Sequence, residues 1–253
     1  MTTDNSNGNK PADTGTEHAN AVQGAPVPKK TKHKGLIITA VIVAVLVVAF
    51  AGFWTWHETP GFCAAICHNM DEYLDTYQQP QNQAGVDKYG NAVSNTNAMM
   101  ATLHRSNDTT AKSEIRCMAC HHAIVGEQVS EAMGFVSGNY YYPLYERVGD
   151  DLTHWWGEDV SGDQFCVNEN CHVYLQDATG GVNRDKLEAS TMSMEFNPHS
   201  QHHEGIEMDC TTCHKGHRAS VVECTGCHEH ENATLPDGWI TKAESDTLMA
   251  KTF

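Results

Sequence analysis

Positive charge is scarce in this chain of 253 residues: 16 Lys and Arg stand against 32 Asp and Glu, a net charge of −16. An acid excess of that size argues against binding a nucleic-acid backbone. Aromatic residues make up only 8%, and no long apolar run occurs beyond residue 57. The exported-looking part of the chain therefore has little with which to build a large core of its own. Signatures of acyl transfer and nucleotide binding are missing too, with no G-x-S-x-G elbow, no Walker loop and no G-x-G-x-x-G turn. Nor is any cysteine left over. All ten fall into pairs, and each pair is closed at once by a histidine.

The pairs are Cys63/Cys67–His68, Cys117/Cys120–His121, Cys166/Cys171–His172, Cys210/Cys213–His214 and Cys224/Cys227–His228. Three have the two-residue spacer of C-x-x-C-H; CAAICH has three intervening residues and CVNENCH has four. In a c-type haem site two thiols add across the vinyl groups and the adjacent His ligates the iron. A slightly longer spacer still lets both sulfurs reach. Zinc sites or a disulfide framework do not predict a His directly after every second cysteine. The expectation is five covalently bound c-type haems and no disulfide.

Residues 36–56, LIITAVIVAVLVVAFAGFWTW, form the one long uncharged stretch, 21 residues. As a helix rising about 1.5 Å per residue it spans about 31 Å, enough for a bilayer core. Lys29, Lys30, Lys32 and Lys34 precede it, and Phe53, Trp54 and Trp56 mark its far end. The domain organisation expected is a disordered cytoplasmic tail over 1–34, a transmembrane signal anchor over 35–56 and an exported haem domain over 57–253. The chain would then be a single-pass protein of the cell membrane, its haem domain periplasmic or extracellular. The rival reading is a signal peptide cleaved near Ala49-Phe50-Ala51. The apolar run continues past that point into the aromatic anchors, which favours the anchor.

Charge follows the same division. Residues 57–253 carry 29 acids against 11 bases, whereas residues 1–34 carry five Lys and three acids. Such an exported domain favours a partner with a basic docking surface.

The fold class expected is mainly α with much irregular structure, short helices and loops wrapped around haems, and almost no sheet. Helices are predicted at Asp71–Tyr77, Ala98–His104, Glu127–Met133 and Thr241–Lys251, the last with Thr241 and Glu244 in capping-box positions. Residues 78–97 are polar and turn-rich and read as a surface loop.

Five of the 16 histidines follow the cysteine pairs, and His18 and His33 fall on the cytoplasmic side. The second axial ligands must come from His57, His104, His122, His154, His199, His202, His203, His217 and His230. His104, upstream of the second motif, and His217, three residues past a haem-motif His, are the leading candidates. His122 follows a proximal His and points away from it. His199, His202 and His203 cluster in NPHSQHHEG; His154, His230 and His57 are equally compatible with an exposed role. Two His ligands close both faces of an iron, so such haems relay electrons and do little bond chemistry. Met70, two residues after His68, is a candidate ligand that would raise the potential of the first haem. That motif starts only seven residues after Trp56, where a lipid-soluble quinol can reach it.

An apolar anchor, CAAICHNM close behind it, His104 upstream of CMACH, and CTTCHKGH together resemble the NapC/NirT group of membrane-anchored multihaem quinol dehydrogenases, which includes the NrfH-type subunits. The resemblance covers roughly residues 30–217. It implies that Met70 rather than His68 ligates the first iron. It also implies that menaquinol or ubiquinol, menaquinol foremost, is oxidised beside that haem, with electrons passing to an exported terminal reductase in anaerobic respiration. Two departures stand out. The group offers a Lys near the quinol site, yet no Lys occurs between Lys112 and Lys186, leaving Glu127 and Glu131 as the candidate proton acceptors. CTGCHEH adds a fifth motif, read as an exit haem. The activity expected is that of a quinol-oxidising electron-transfer subunit; the alternatives are a relay without its own quinol site, or an exported haem-based reductase or sensor. The sequence leaves the oligomeric state open.

Overall fold

The computed structural model describes residues 33–57, 59–66, 70–105, 115–121, 125–139, 160–200, 208–228 and 234–252. The chain divides into two units, residues 1–49 and 50–253. The first is, over its described part, the beginning of helix α1 (His33–His57). From Lys34 to Trp56 every side chain of this helix is exposed, although the stretch is long and apolar enough to cross a membrane. A helix hydrophobic all round has no core-facing stripe, so its apolar surface suits a surrounding solvent of lipid.

The second unit is mainly helical with little sheet, as expected. Its helices are short: α2 (Pro60–Ile66), α3 (Asp71–Gln78), α4 (Met100–Arg105), α5 (Cys117–Cys120), α6 (Val125–Val136), α7 (Gly162–Cys166), α8 (Arg184–Thr191), α9 (Cys210–Cys213) and α10 (Lys242–Thr252). Local chemistry sets their ends. Asp71 and Glu72 place negative charge in the first turn of α3. Ser161 and Gln164 close a capping box on α7. The Asn183 side chain caps α8 by accepting from the Lys186 N–H. Glu244 Oε2 accepts from the Thr241 N–H at 2.8 Å and the Glu244 N–H reaches Thr241 Oγ1 at 3.2 Å, the predicted box in front of α10.

The polar stretch 78–97 is not simply a surface loop. Strands β1 (Gly85–Val86) and β2 (Ala92–Val93) pair antiparallel, Gly85 opposite Val93. The Asp87 carboxylate accepts from the Tyr89 and Asn91 backbone N–H groups, each at 2.8 Å. With the turn's donors satisfied internally, Val93 and Thr96 bury, at 3% and 0% exposure. Val93 joins Ala98, Met99 and Ala219 in a small apolar cluster, with Trp239 and Ile240 packed on it. Strands β3 (Val221–Val222) and β4 (Ile240–Thr241) run parallel beside it. Around this cluster the chain is cross-tied by polar bonds. Ser220 Oγ donates to the Ala98 carbonyl at 2.6 Å, and the Met100 N–H to the Lys215 carbonyl at 2.9 Å.

Candidate haem sites

The four cysteine pairs that lie wholly within the described residues take several local forms that share one closing bond. In α5 and α9 the whole C-x-x-C segment is one helical turn, which puts the two cysteines on the same face, three residues apart. The next residue then closes the turn: His121 N–H donates to the Cys117 carbonyl at 2.8 Å and His214 N–H to that of Cys210 at 2.9 Å. In the stretched CVNENCH, α7 stops at its first cysteine, yet the His172 N–H still reaches the Cys166 carbonyl at 3.1 Å. Asn168 organises the extra length. Its Nδ2 donates to the Phe165 carbonyl at 2.7 Å, its Oδ1 accepts from the Asn170 N–H at 2.8 Å, and its own carbonyl accepts from the Cys171 N–H at 3.1 Å. Val167 anchors the start of the loop at 1% exposure.

CTGCH shows that an equal spacer does not mean an equal turn. It has the two-residue spacer of CMACH and CTTCH, but residues 223–226 form a 3-10 turn and Cys227 falls just outside it, at φ −120° and ψ −24°. The cause is the tighter winding of a 3-10 turn, which closes on the third residue: the Cys227 N–H donates to the Cys224 carbonyl at 3.2 Å. Cys227 is exposed while Cys224 is half-buried, the same division that separates Cys120 from Cys117 and Cys171 from Cys166. The closing bond survives, His228 N–H to the Cys224 carbonyl at 3.0 Å.

Three of the motif histidines stand opposite a second imidazole. The ring centres of His121 and His217 are 6.2 Å apart, those of His172 and His104 6.1 Å, and those of His214 and His199 6.2 Å. A nitrogen–metal bond of about 2 Å plus about 1 Å to each ring centre puts two rings on opposite sides of one metal about 6 Å apart. The spacing therefore fits an iron held between each pair. Burial is the first cause of a downward shift at His217, to about 3, and at His214, to about 4. Burial also lowers His172 and His199. All four are thus kept in the neutral form, whose lone pair a metal requires.

The far nitrogens of two of these rings are engaged as well. His104 lies on α4 and its Nδ1–H donates to the Met100 carbonyl at 2.8 Å. His217 Nδ1 is 2.6 Å from Thr76 Oγ1. In both rings Nε2 remains as the ligating atom. His199 Nδ1 is buried and finds no partner among the described residues.

Four thiols, those of Cys63, Cys120, Cys210 and Cys213, are pushed above the ordinary thiol range, whereas the hydrogen bond with Cys210 moves that of Cys166 down. Contact with Cys117 and then burial push the Cys63 thiol far up; Cys166 and burial do the same for Cys210. Burial, with Cys171 and Cys166 near it, raises Cys120 to about 11. No disulfide joins the described cysteines. These contacts also link the motifs in chain order. Cys63 of the first meets Cys117 of the second, Cys120 neighbours Cys171 of the third, Cys166 meets Cys210 of the fourth, and Cys213 neighbours Cys224 of the fifth. A reciprocal clasp fixes the third to the fourth: Cys210 N–H donates to Asp163 Oδ1 at 2.9 Å and Asp163 N–H to Asp209 Oδ1 at 3.2 Å. Arg184 pairs with the outer oxygen of Asp163.

Phe62, just before Cys63, packs edge-on against Trp56 at 4.9 Å and His57 at 4.8 Å. The first motif therefore begins against the aromatic end of α1. Met70 is partly buried and leads into α3. Glu127 and Glu131 fall on α6, but their side chains lie outside the described set. Cys67, His68, His122, His154, His202, His203 and His230 lie outside the described residues altogether.

Sequence reasoning did not find the partners of His217 and His104 on α3 and α4, nor which proximal His each one faces. Thr76 carries no motif; its only signal is a hydroxyl one residue from the end of a predicted helix.

The cytochrome c3 family matches residues 158–229, the stretch holding the third, fourth and fifth motifs. Cytochrome c-type protein Cgr1 of Eggerthella lenta is 49% identical over 228 residues, which cover 90% of this chain and 95% of that protein. No solved structure matches.

Proposed function

The chain belongs to the family of cytochrome c-type protein Cgr1, the multihaem c-type cytochromes, whose work is electron transfer; from that premise we propose that it is a membrane-anchored, five-haem conduit of the NapC/NirT kind. In this reading α1 stays in the membrane, membrane quinol is oxidised beside the first haem, and electrons leave for an exported terminal reductase. Bound c-type haem supplies a reversible one-electron carrier, and imidazole on both faces leaves no position for a substrate. The ligand sets proposed are His121 with His217, His172 with His104, and His214 with His199. Met70 is proposed for the first iron and His228 for the fifth, whose thioethers Cys224 and Cys227 would form.

The observation that carries this reading is the three imidazole pairs at 6.1–6.2 Å. At those three haems they favour a relay over a haem-based reductase or sensor, which needs an open iron. The chain-order contacts between motifs support passage from the first to the fifth, and the fifth, last in that order, is read as the exit. The packing of Phe62 on Trp56 supports a first haem at the lipid surface, where quinol is found. The identity of the quinol and of the reductase rests on the resemblance.

The test uses the full-length holoprotein in lipid nanodiscs. Intact mass should give five haems per chain, and a menaquinol analogue should reduce all of them. Met70→Leu should slow that reduction at least tenfold while dithionite still reduces every haem. Failure of quinol to reduce an intact five-haem protein would leave a relay fed by a separate quinol oxidase.

A further inference from the structure

Thr76 sits on α3 at 1% exposure, one turn past Tyr73. Its hydroxyl oxygen is 2.8 Å from the Tyr73 carbonyl and 2.6 Å from His217 Nδ1. A carbonyl oxygen can only accept, so the single hydroxyl proton goes to Tyr73. Thr76 Oγ1 must then accept from His217 Nδ1–H. The Thr76 backbone is pinned in turn, because the Thr102 hydroxyl donates to its carbonyl at 2.6 Å and Thr102 is itself fully buried. The Tyr73 ring stands edge-on to the His217 imidazole, with centres 5.1 Å apart. The acceptor is thus held by a bond within α3 and by one from α4, and the imidazole has one orientation that satisfies it.

We propose that Thr76 is a positioning residue for the second haem: it fixes the tautomer and ring orientation of His217 and sets that haem's potential through the His217 Nδ1–H···Oγ1 hydrogen bond. This rests on the reading that His217 is the iron's second ligand. A hydrogen bond accepted from the far nitrogen makes an imidazole a more basic ligand, which favours the oxidised iron. The bond therefore holds the potential of this haem down. His104, whose Nδ1–H meets a main-chain carbonyl, has no side chain that a substitution could remove in the same way, so the effect should be confined to one haem.

The experiment compares Thr76→Val, Thr76→Ser and His217→Ala in the full five-haem chain by potentiometric titration and electron paramagnetic resonance. Thr76→Val should raise one couple, by about 59 mV for a tenfold weaker preference for the oxidised state, and shift the g-values of one low-spin centre. Thr76→Ser, which keeps the hydroxyl, should restore both. His217→Ala should turn one low-spin centre high-spin. Should that variant keep every centre low-spin, the ligand reading fails. Should it behave as expected while Thr76→Val titrates like the parent, the role of Thr76 fails alone. If Thr76→Val does not retain its haems, Thr76→Ala takes its place. If neither does, exchange of the His217 Nδ1 proton in the unmodified protein decides: slow exchange supports the bond, and exchange as fast as an exposed imidazole overturns it.

Discussion

CTTCH and CVNENCH lie against each other and solve the same problem with different means. The fourth motif uses a single helical turn, α9, in which main-chain geometry alone sets the cysteines. The third has two more residues between its cysteines, abandons the helix at Cys166, and relies on side chains: Val167 as an apolar pin and Asn168 as a bracket with both ends of its amide engaged. What both keep is the bond from the His N–H to the first cysteine's carbonyl, at 2.9 and 3.1 Å. The requirement these two motifs share is the placement of the His, and the spacer is free to change if something else holds it.

That contrast can be broken at its strongest point. If both motifs present an axial ligand equally well, His172→Ala and His214→Ala should have the same effect. Each should convert one low-spin centre to high-spin, with all haems still attached through their thioethers. Loss of a centre in one variant only, read by electron paramagnetic resonance, would show that the two forms are not equivalent. A smaller effect separates the means of support. Val167→Ala should cost about 2 kcal/mol through lost burial and a residual cavity, and Asn168→Ala about 1 kcal/mol for each hydrogen bond removed. In a chain of this size that lowers Tm by roughly 2–4 °C per kcal/mol. Thr212→Ala, at a spacer position of the fourth motif, should change Tm by less than about 0.5 kcal/mol's worth. Equal sensitivity of the two spacers would end the distinction.

The smallest effect lies just beyond the third motif. The Asp177 carboxylate accepts from the Thr179 hydroxyl and from the Thr179 and Gly181 N–H groups. These bonds, that of the Thr179 hydroxyl first, hold its pKa below the ordinary 3.8. A carboxylate with a depressed folded pKa stabilises the fold above its unfolded value, and that contribution disappears as pH falls through the folded one. Asp177→Asn should therefore lower Tm slightly at neutral pH, with the gap to the parent narrowing only below pH 3.8. A gap that does not depend on pH would assign the turn's stability to something other than this charge.

Much of this architecture was legible in the residues. The helices at 71–78, 100–105, 125–136 and 242–252 fall close to where the patterns placed them, the first announced by acids in its first turn and the last by a capping pair. So were the cysteine motifs and the apolar helix, though not the different turn that carries Cys227, since spacing alone does not tell an α turn from a 3-10 turn. The imidazole pairs were legible only as a pool of candidates. His217 meets His121 across 96 positions of sequence, and no local pattern encodes which rings converge. The hairpin at 85–93, which buries Asp87 and Val93 while Val86 and Ala92 stay exposed, was missed for a related reason. Its composition is that of a loop, and its turn holds because Asp87 satisfies the turn's own donors, an arrangement that composition does not reveal. The bracket formed by Asn168 likewise belongs to the turn geometry rather than to any motif.

The apolar cluster of Val93, Ala98, Met99 and Ala219 has a consequence for how the molecule comes into being. Among the described residues few other apolar side chains are buried, and an interior this thin offsets little of the entropy lost on ordering them, so tertiary structure is expected to form with cofactor attachment rather than before it. The chain would then reach the haem-attaching machinery as an open thread, presenting its five Cys–Cys–His segments in the order in which they are made. Maturation and folding become one process, and a motif skipped during attachment would leave a missing piece of core as well as a missing carrier.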